Sequence, residues 1–256
     1  MLSSITLTAL KGIPLIQPGD DLCLTILNSL LENKITLNNG DILVIAQKIV
    51  SKAEGRSVSL DSISPSSHAV DLAKIVNKDP RLVELILQES KEVIRFKHDI
   101  LIVEHRLGFI MANAGIDLSN VSQNMEGGDT ALLLPLYPDA TCASLVARLC
   151  DSLGVNVGVV INDSHGRAWR NGTVGVAIGA AGFNTLHDLR GKEDLFGRKL
   201  QTTEVGYADE LASAASLLMG QANEGLPIVL IRGLDMLGGK STAQDLIRPR
   251  ENDLFR

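Results

Sequence analysis

The sequence predicts a mixed fold of short buried strands with flanking helices. Three observations carry this: apolar, β-branched runs of strand length at 42–46, 155–161 and 227–231; leucines at helical spacing over 22–31 and 139–153; and turns rich in Gly, Asn and Asp between them. Apolar residues make up 45% and charged residues 21%, so 256 residues suffice for a substantial core. We read 1–256 as one domain, with 120–140 as the place where two subdomains would meet.

Taken in order, Gly12 to Ile16 precedes the loop Pro18-Gly19-Asp20-Asp21, whose acids cap a helix over 22–31; Leu24, Leu27, Leu30 and Leu31 are its expected core stripe. Asn38-Asn39-Gly40-Asp41 turns into the strand 42–46. The next residues, 47–56, set Lys48, Lys52 and Arg56 directly beyond the strand end, as phosphate-neutralising cations or as a polar exit into a loop. Helices are expected over 64–77 and 80–91, the second with Asp79 as cap and Pro80 in its first turn. Residues 92–112 alternate between short β-like runs, broken at His98-Asp99 and Arg106-Leu107-Gly108; His68, His98 and His105 have no metal-site spacing and read as structural or surface residues. Gly127-Gly128-Asp129 is a break and 132–138 an apolar connection. Asp139 is the expected cap of a helix reaching residue 153. An Ala-rich helix over 208–219, a strand over 227–231 and a frayed charged end over 248–256 complete the chain.

Composition excludes several classes. A net charge of -6 and 3% aromatic residues oppose nucleic-acid binding, while leaving room for one phosphorylated small ligand. Cys23, Cys142 and Cys150 have no C-x-x-C spacing, which points to a reducing cytoplasm rather than a disulfide framework. No apolar run approaches the roughly 18 residues of a membrane span, so no membrane association is expected. Gly238-Gly239-Lys240-Ser241-Thr242 imitates a phosphate loop, but the glycine required five places before the final Gly-Lys is Leu234.

Residues 161–198 are the most unusual stretch. The β-branched run ends in Asn162-Asp163-Ser164, placing hard oxygen ligands at the carboxyl end of a strand, where ligands of α/β proteins collect; Asp-Ser is equally the start of a turn. Arg167 and Arg170, flanking Trp169, suit phosphate or carboxylate capture, or a solvated loop. Gly172, Gly175, Gly179 and Gly182 permit close backbone approach, or weaken a core strand. Asp117 follows another β-like run, so Asp117 and Asp163 can meet at one sheet edge and share a divalent ion; Asn120 beside it can bond a base or ribose, or make an Asx turn.

Several ordered motifs then coincide: Lys-Ile-Val-Ser-Lys-Ala-Glu-Gly-Arg at 48–56, Ala-Asn-Ala-Gly-Ile-Asp at 112–117, Ile-Asn-Asp-Ser-His-Gly-Arg at 161–167, Asp-Leu-Arg-Gly at 188–191 and Asp-Leu-Phe-Gly-Arg at 194–198. Together they closely resemble the coenzyme F420:L-glutamate ligase (F420-0 γ-glutamyl ligase) family, over about residues 10–233. The resemblance implies an α+β fold of mixed sheets and flanking helices without the common phosphate loop (P-loop), assembled as an intertwined homodimer in the cytoplasm. It implies a GTP-dependent enzyme that uses Mg²⁺ or Mn²⁺, with K⁺ as a further ion, to join L-glutamate to the lactyl carboxylate of F420-0 and then to add γ-linked glutamate.

Carried over by position, Asp117 and Asp163 are implied ligands of one metal, with Ser164 and Gln221 near a second. The implied GTP contacts are Gln47, Lys48, Lys52 and Asn120, with the backbone at Ile13, Pro14, Leu15 and Ile16. The loop Met219, Gly220, Gln221, Ala222, Asn223, Glu224, Gly225 and Leu226 completes them. The chain departs from the family pattern at 134–139 and by Gly127-Gly128, which bears on the acceptor more than on the nucleotide chemistry. The alternatives are the same chemistry on another acceptor or amino acid, and a non-catalytic nucleotide- or deazaflavin-binding protein.

Overall fold

The computed structural model describes residues 4–119, 129–234 and 238–254. Strand β1 (Thr6–Ala9) precedes helix α1 (Leu22–Glu32), then come β2 (Ile42–Ala46), α2 (Gln47–Ala53) and β3 (Ser57–Ser59). Helices α3 (Ser67–Val76) and α4 (Pro80–Gln88) lead to β4 (Ser90–Lys97), β5 (Ile100–His105) and β6 (Ile110–Ala112). After β7 (Thr130–Leu132) and α5 (Pro138–Leu153) come β8 (Gly158–Arg167), β9 (Arg170–Ala181), β10 (Leu186–Asp188), β11 (Glu204–Gly206), α6 (Tyr207–Met219) and β12 (Ile228–Arg232).

The main sheet has the order β1-β12-β2-β8-β9 and is antiparallel except at its centre, where β2 runs parallel to β8 with Ala46 opposite Asn162. β2 is apolar throughout because both its faces are covered. Leu43 and Ile45 join the core shared with α1 and α5, whereas Ile42 and Val44 pack with Ala208, Leu211 and Ala215 of α6. A smaller core forms between α3, α4 and the β4-β5-β6 sheet, around Leu72, Val76, Val83, Ile86 and Val103. Mixed sheets with flanking helices are thus the α+β architecture expected. Among the described residues, no helix is long and apolar enough to cross a membrane.

Several expectations need correction. Residues 47–53 are helix α2, not a loop, and β1 is an additional edge strand. Leu24 and Leu31 of α1 face solvent; its buried stripe is Leu22, Cys23, Ile26, Ser29 and Leu30. Helix α3 starts later than expected, capped by Ser66 after Pro65, and α4 ends at Gln88, so that Lys91 lies in β4. Asp139 is no cap: it sits in the first turn of α5, where its Oδ1 accepts the N–H groups of Ala180 (2.8 Å) and Ala243 (3.0 Å). Leu132, the first residue of the expected connection, instead ends β7, which pairs with β3.

The glycines of β9 have a structural reason. A Cβ on Gly175 would lie 2.4 Å from the Ala212 carbonyl of α6, and one on Gly179 would lie 2.7 Å from Pro138 of α5. Close approach is needed, but to helices rather than to a ligand. The Gly238–Thr242 imitation of a phosphate loop is a clasp: Ser241 Oγ accepts the Thr185 N–H (2.7 Å), and the Thr185 hydroxyl donates to the Thr242 carbonyl (2.8 Å). The tail is anchored as far as Arg250, which pairs with Glu92 at 3.0 Å.

Glu89, at the end of α4, joins the small core to the main one. Its Oε2 accepts Arg56 Nη2 (2.8 Å) and Arg106 Nε (3.0 Å), and those arginines also bond the carbonyls of Leu134, Pro135 and Leu136 ahead of α5. Buried His105 accepts the Leu107 N–H at Nδ1, so the neutral ring carries its proton on Nε2, 3.5 Å from Glu89. Burial works to raise the Glu89 carboxyl, but His105, Arg106 and Arg56 outweigh it and lower it from 4.5 to about 2. Its folded value lies below its unfolded one, so the stabilisation is full above about 4.5 and is lost as pH falls from there towards 2. Its size is on the order of 3 kcal/mol. Glu89→Gln is expected to lower unfolding stability at pH 7 by that order, with the deficit shrinking as denaturant melts are repeated at pH 4 and 3; a deficit independent of pH would contradict this.

Candidate active site at one end of the main sheet

The sheet topology brings separate segments to one place. The parallel β2–β8 pair ends with Ala46 beside Asn162, the Ala46 N–H bonds the Pro227 carbonyl at the entry to β12, and the carboxyl end of β1 meets β12 through Ala9 opposite Val229. The residues that follow β1, those that follow β2, the polar half of β8 and the loop before β12 therefore line one cavity of about 580 Å³. Met111 and Ala112 of β6, with Gly115, Ile116, Asp117 and Ser119 after it, close its remaining side.

Asn162-Asp163-Ser164 does not follow β8 but lies within it, after a bulge at Ile161/Asn162 and paired with β9. Alternation along the strand sends successive side chains to opposite faces. Asn162 and Ser164 face α6 and its following loop: Asn162 Nδ2 donates to Ser216 Oγ (3.1 Å), and Ser164 Oγ donates to Gln221 Oε1 (2.8 Å). Asp163 and His165 share the other face, with His165 Nε2 3.1 Å from Asp163 Oδ2 and its ring edge-on to Phe109. The cavity wraps both faces of one strand end.

Across it, α2 presents Lys48 and Lys52 one turn apart. Lys48 Nζ lies 2.5 Å from Asp117 Oδ2, while Asp117 Oδ1 accepts the N–H and hydroxyl of Ser119, both at 2.7 Å. Burial works to raise the Asp117 carboxyl, but Lys48 and Ser119 outweigh it and hold it below the ordinary range. Burial, then the Lys48 charge, pushes the Lys52 ammonium below its ordinary value, against the pull of Asp117. Gln47 is buried and accepts the Ser51 hydroxyl (2.9 Å). In the loop after α6, the Ala222 N–H donates to Glu224 Oε2 (2.8 Å), and these backbone bonds hold the Glu224 carboxyl low.

Of the residues singled out from sequence, Ile13 to Ile16, Gln47, Lys48, Lys52, Asp117, Asp163, Ser164 and the loop Met219 to Leu226 all line this cavity. Asn120 lies outside the described residues. Arg167 and Arg170 pair with each other across the end of the β8–β9 hairpin, beyond the lining, and Arg167 Nη1 donates to the Gly172 carbonyl (3.1 Å). His165 and Ser119 also line the cavity; two-residue periodicity from Asp163 points to His165 once the strand is continued past residue 161.

The donors fit a hard divalent ion: two carboxylates, a hydroxyl and an amide oxygen, with Ser164 and Gln221 already in mutual contact. Among the described residues no three His, Cys, Asp or Glu side chains cluster as a metal site. An ion here would complete its shell with phosphate oxygens and water, as Mg²⁺ does at nucleotides.

The chain matches the sequence profile of the family described as F420-0:Gamma-glutamyl ligase over residues 12–233. It is 48% identical over 254 residues to the Coenzyme F420:L-glutamate ligase of Methanothermobacter thermautotrophicus, covering 98% of this chain and 99% of that one. Proteins of the same name from Methanocaldococcus jannaschii and Archaeoglobus fulgidus are 42% and 38% identical, each covering at least 95% of this chain and 94% of the relative.

An anion seated beside Lys52 would favour its charged form, so anion affinity is expected to fall as pH rises through the lowered folded-state pKa of Lys52, below the ordinary 10.5. Titrating inorganic triphosphate calorimetrically from pH 7 upward is expected to show this loss, displaced to higher pH in Lys52→Arg; an alkaline loss unmoved by that substitution would contradict an anion contact at Lys52.

Proposed function

Because the chain belongs to the F420-0:gamma-glutamyl ligase family and is a ligase, we propose that it joins L-glutamate to the lactyl carboxylate of coenzyme F420-0 at the expense of GTP, and adds further γ-linked glutamates by the same steps. The observation that carries this reading is the gathering of Lys48, Lys52, Asp117 and Asp163 around one cavity at the sheet end.

A carboxylate is a poor electrophile and must be activated before an amine can attack it. In this reading an acceptor carboxylate oxygen attacks the γ-phosphorus of GTP, the bond to the β–γ bridging oxygen breaks, and GDP leaves an acyl phosphate. The deprotonated amine of glutamate then attacks the acyl carbon, the carbon–oxygen bond to phosphate breaks, and the amide forms as inorganic phosphate departs. Lys48 and Lys52 hold phosphate oxygens in line, and the glycine-flanked loop from Met219 to Leu226 supplies backbone N–H groups to the nucleotide. Asp117 and Asp163 would hold one divalent ion, and Ser164 with Gln221 a second; Mg²⁺ or Mn²⁺ there would supply neutralisation of phosphate charge. His165 donates to Asp163 and fixes that carboxylate's orientation. Arg167 and Arg170, at the hairpin end, grip the outer anionic part of the acceptor. The reading includes a cytoplasmic homodimer.

The test is incubation of the purified protein with F420-0, L-glutamate, GTP and Mn²⁺ or Mg²⁺, with the deazaflavin followed by mass spectrometry. One or more glutamyl mass additions that vanish without GTP are expected; no addition, despite GTP binding, would redirect the chemistry to another acceptor. Asp163→Ala is expected to lower turnover roughly 10³-fold or more with an unchanged circular dichroism spectrum, and near-normal turnover would exclude Asp163 from metal binding.

A further inference from the structure

Lys48 stands in an unusual position for a lysine that serves phosphate. Its ammonium is surrounded by three oxygens: Asp117 Oδ2 at 2.5 Å, Ser119 Oγ at 3.0 Å and the Ser119 carbonyl at 3.4 Å. A carboxylate, a hydroxyl and a main-chain carbonyl are a hard-oxygen set that suits a divalent cation as well as an ammonium. Asp117 has little capacity to serve both. Its Oδ1 already accepts two bonds from Ser119, and its Oδ2 is the atom that Lys48 holds.

We propose that Lys48 is a built-in competitor for the divalent-cation position at Asp117, and that nucleotide phosphate relieves the competition by drawing the ammonium away. The inference rests on the reading of Asp117 as a metal ligand and goes beyond it. A lysine and a divalent ion cannot share one carboxylate oxygen in a half-buried site without strong repulsion, because charges a few ångströms apart are weakly screened there. Lys48 lies on α2 one turn from Lys52, so an ammonium released from Asp117 stays beside a second cation. That pair attracts polyphosphate and repels a bare metal ion. The protein thereby disfavours metal alone and favours metal with nucleotide, and the coupling is reciprocal.

The test measures Mn²⁺ binding to the whole protein without nucleotide, by electron paramagnetic resonance of free Mn²⁺ and by calorimetry. Lys48→Met, which keeps the aliphatic stem, is expected to bind Mn²⁺ roughly five-fold or more tightly than the wild type, the opposite of what loss of a simple binding residue would give. Lys48→Gln, which keeps a neutral donor for Asp117, is expected to fall between them, and thermal melts of both variants verify that they fold. If both folded variants bind Mn²⁺ no more tightly than the wild type while Asp117→Asn weakens binding, the competition is overturned and the metal reading stands. If Asp117→Asn leaves Mn²⁺ binding unchanged, the metal reading of Asp117 falls, and the competition with it.

Discussion

The parallel pairing of β2 with β8 is the constraint on which the rest of the molecule depends. In an otherwise antiparallel sheet, it sets the carboxyl ends of two neighbouring central strands side by side, Ala46 against Asn162. One strand end turns into α2 with its lysines; the other carries Asp163 and Ser164 beyond the apolar part of the sheet. A one-residue slip would turn Asp163 to the α6 face and Ser164 to the opposite one, so the register that buries Val159 and Ile161 also selects the donors on each side of the cavity. The other pairings extend the same logic, because β12 and β1 are antiparallel and so deliver the loop before one and after the other to the same edge.

Opposed charges meet in the cavity. Lys52 is kept in an environment that disfavours its charge, and Asp117 is kept ionised by Lys48 despite burial. Such arrangements cost folding stability and are retained where a ligand completes them. At the opposite end of α2 the balance differs: Arg56 and Arg106 satisfy Glu89 within the protein and fasten the smaller core to the segment ahead of α5. One short helix thus links the Glu89 cluster to the charges that line the cavity.

The regular parts of the fold were legible because burial imposes periodicity. β2, β12, α5 and α6 lie within a few residues of where their patterns put them, and the Asp21 and Asp79 caps are present. What was illegible follows from tertiary override. α2 is seven residues with only two apolar positions central to it, β1 is a half-exposed edge strand, and the polar half of β8 contains Asn, Asp and Ser, which strands disfavour unless a partner such as β9 holds them. Residue types alone left Asp163, Lys48 and the glycines of β9 open between ligand and structural readings. Pairing and packing separate them, assigning Gly175 and Gly179 to helix contacts and leading Asp163 and Lys48 into the cavity. Leu24 and Leu31 of α1 face solvent: helical spacing defines a stripe without saying which stripe meets the core.

The central claim is that nucleotide chemistry takes place where the ends of β2 and β8 meet, with Asp117 and Asp163 holding one ion between them. The most direct measurement is an anomalous-scattering map of crystals grown with Mn²⁺ and GDP. The expected result is a manganese peak within bonding distance of both carboxylates, with the diphosphate between that ion and the lysines of α2. A peak elsewhere, or a diphosphate seated away from Lys48 and Lys52, would contradict the claim.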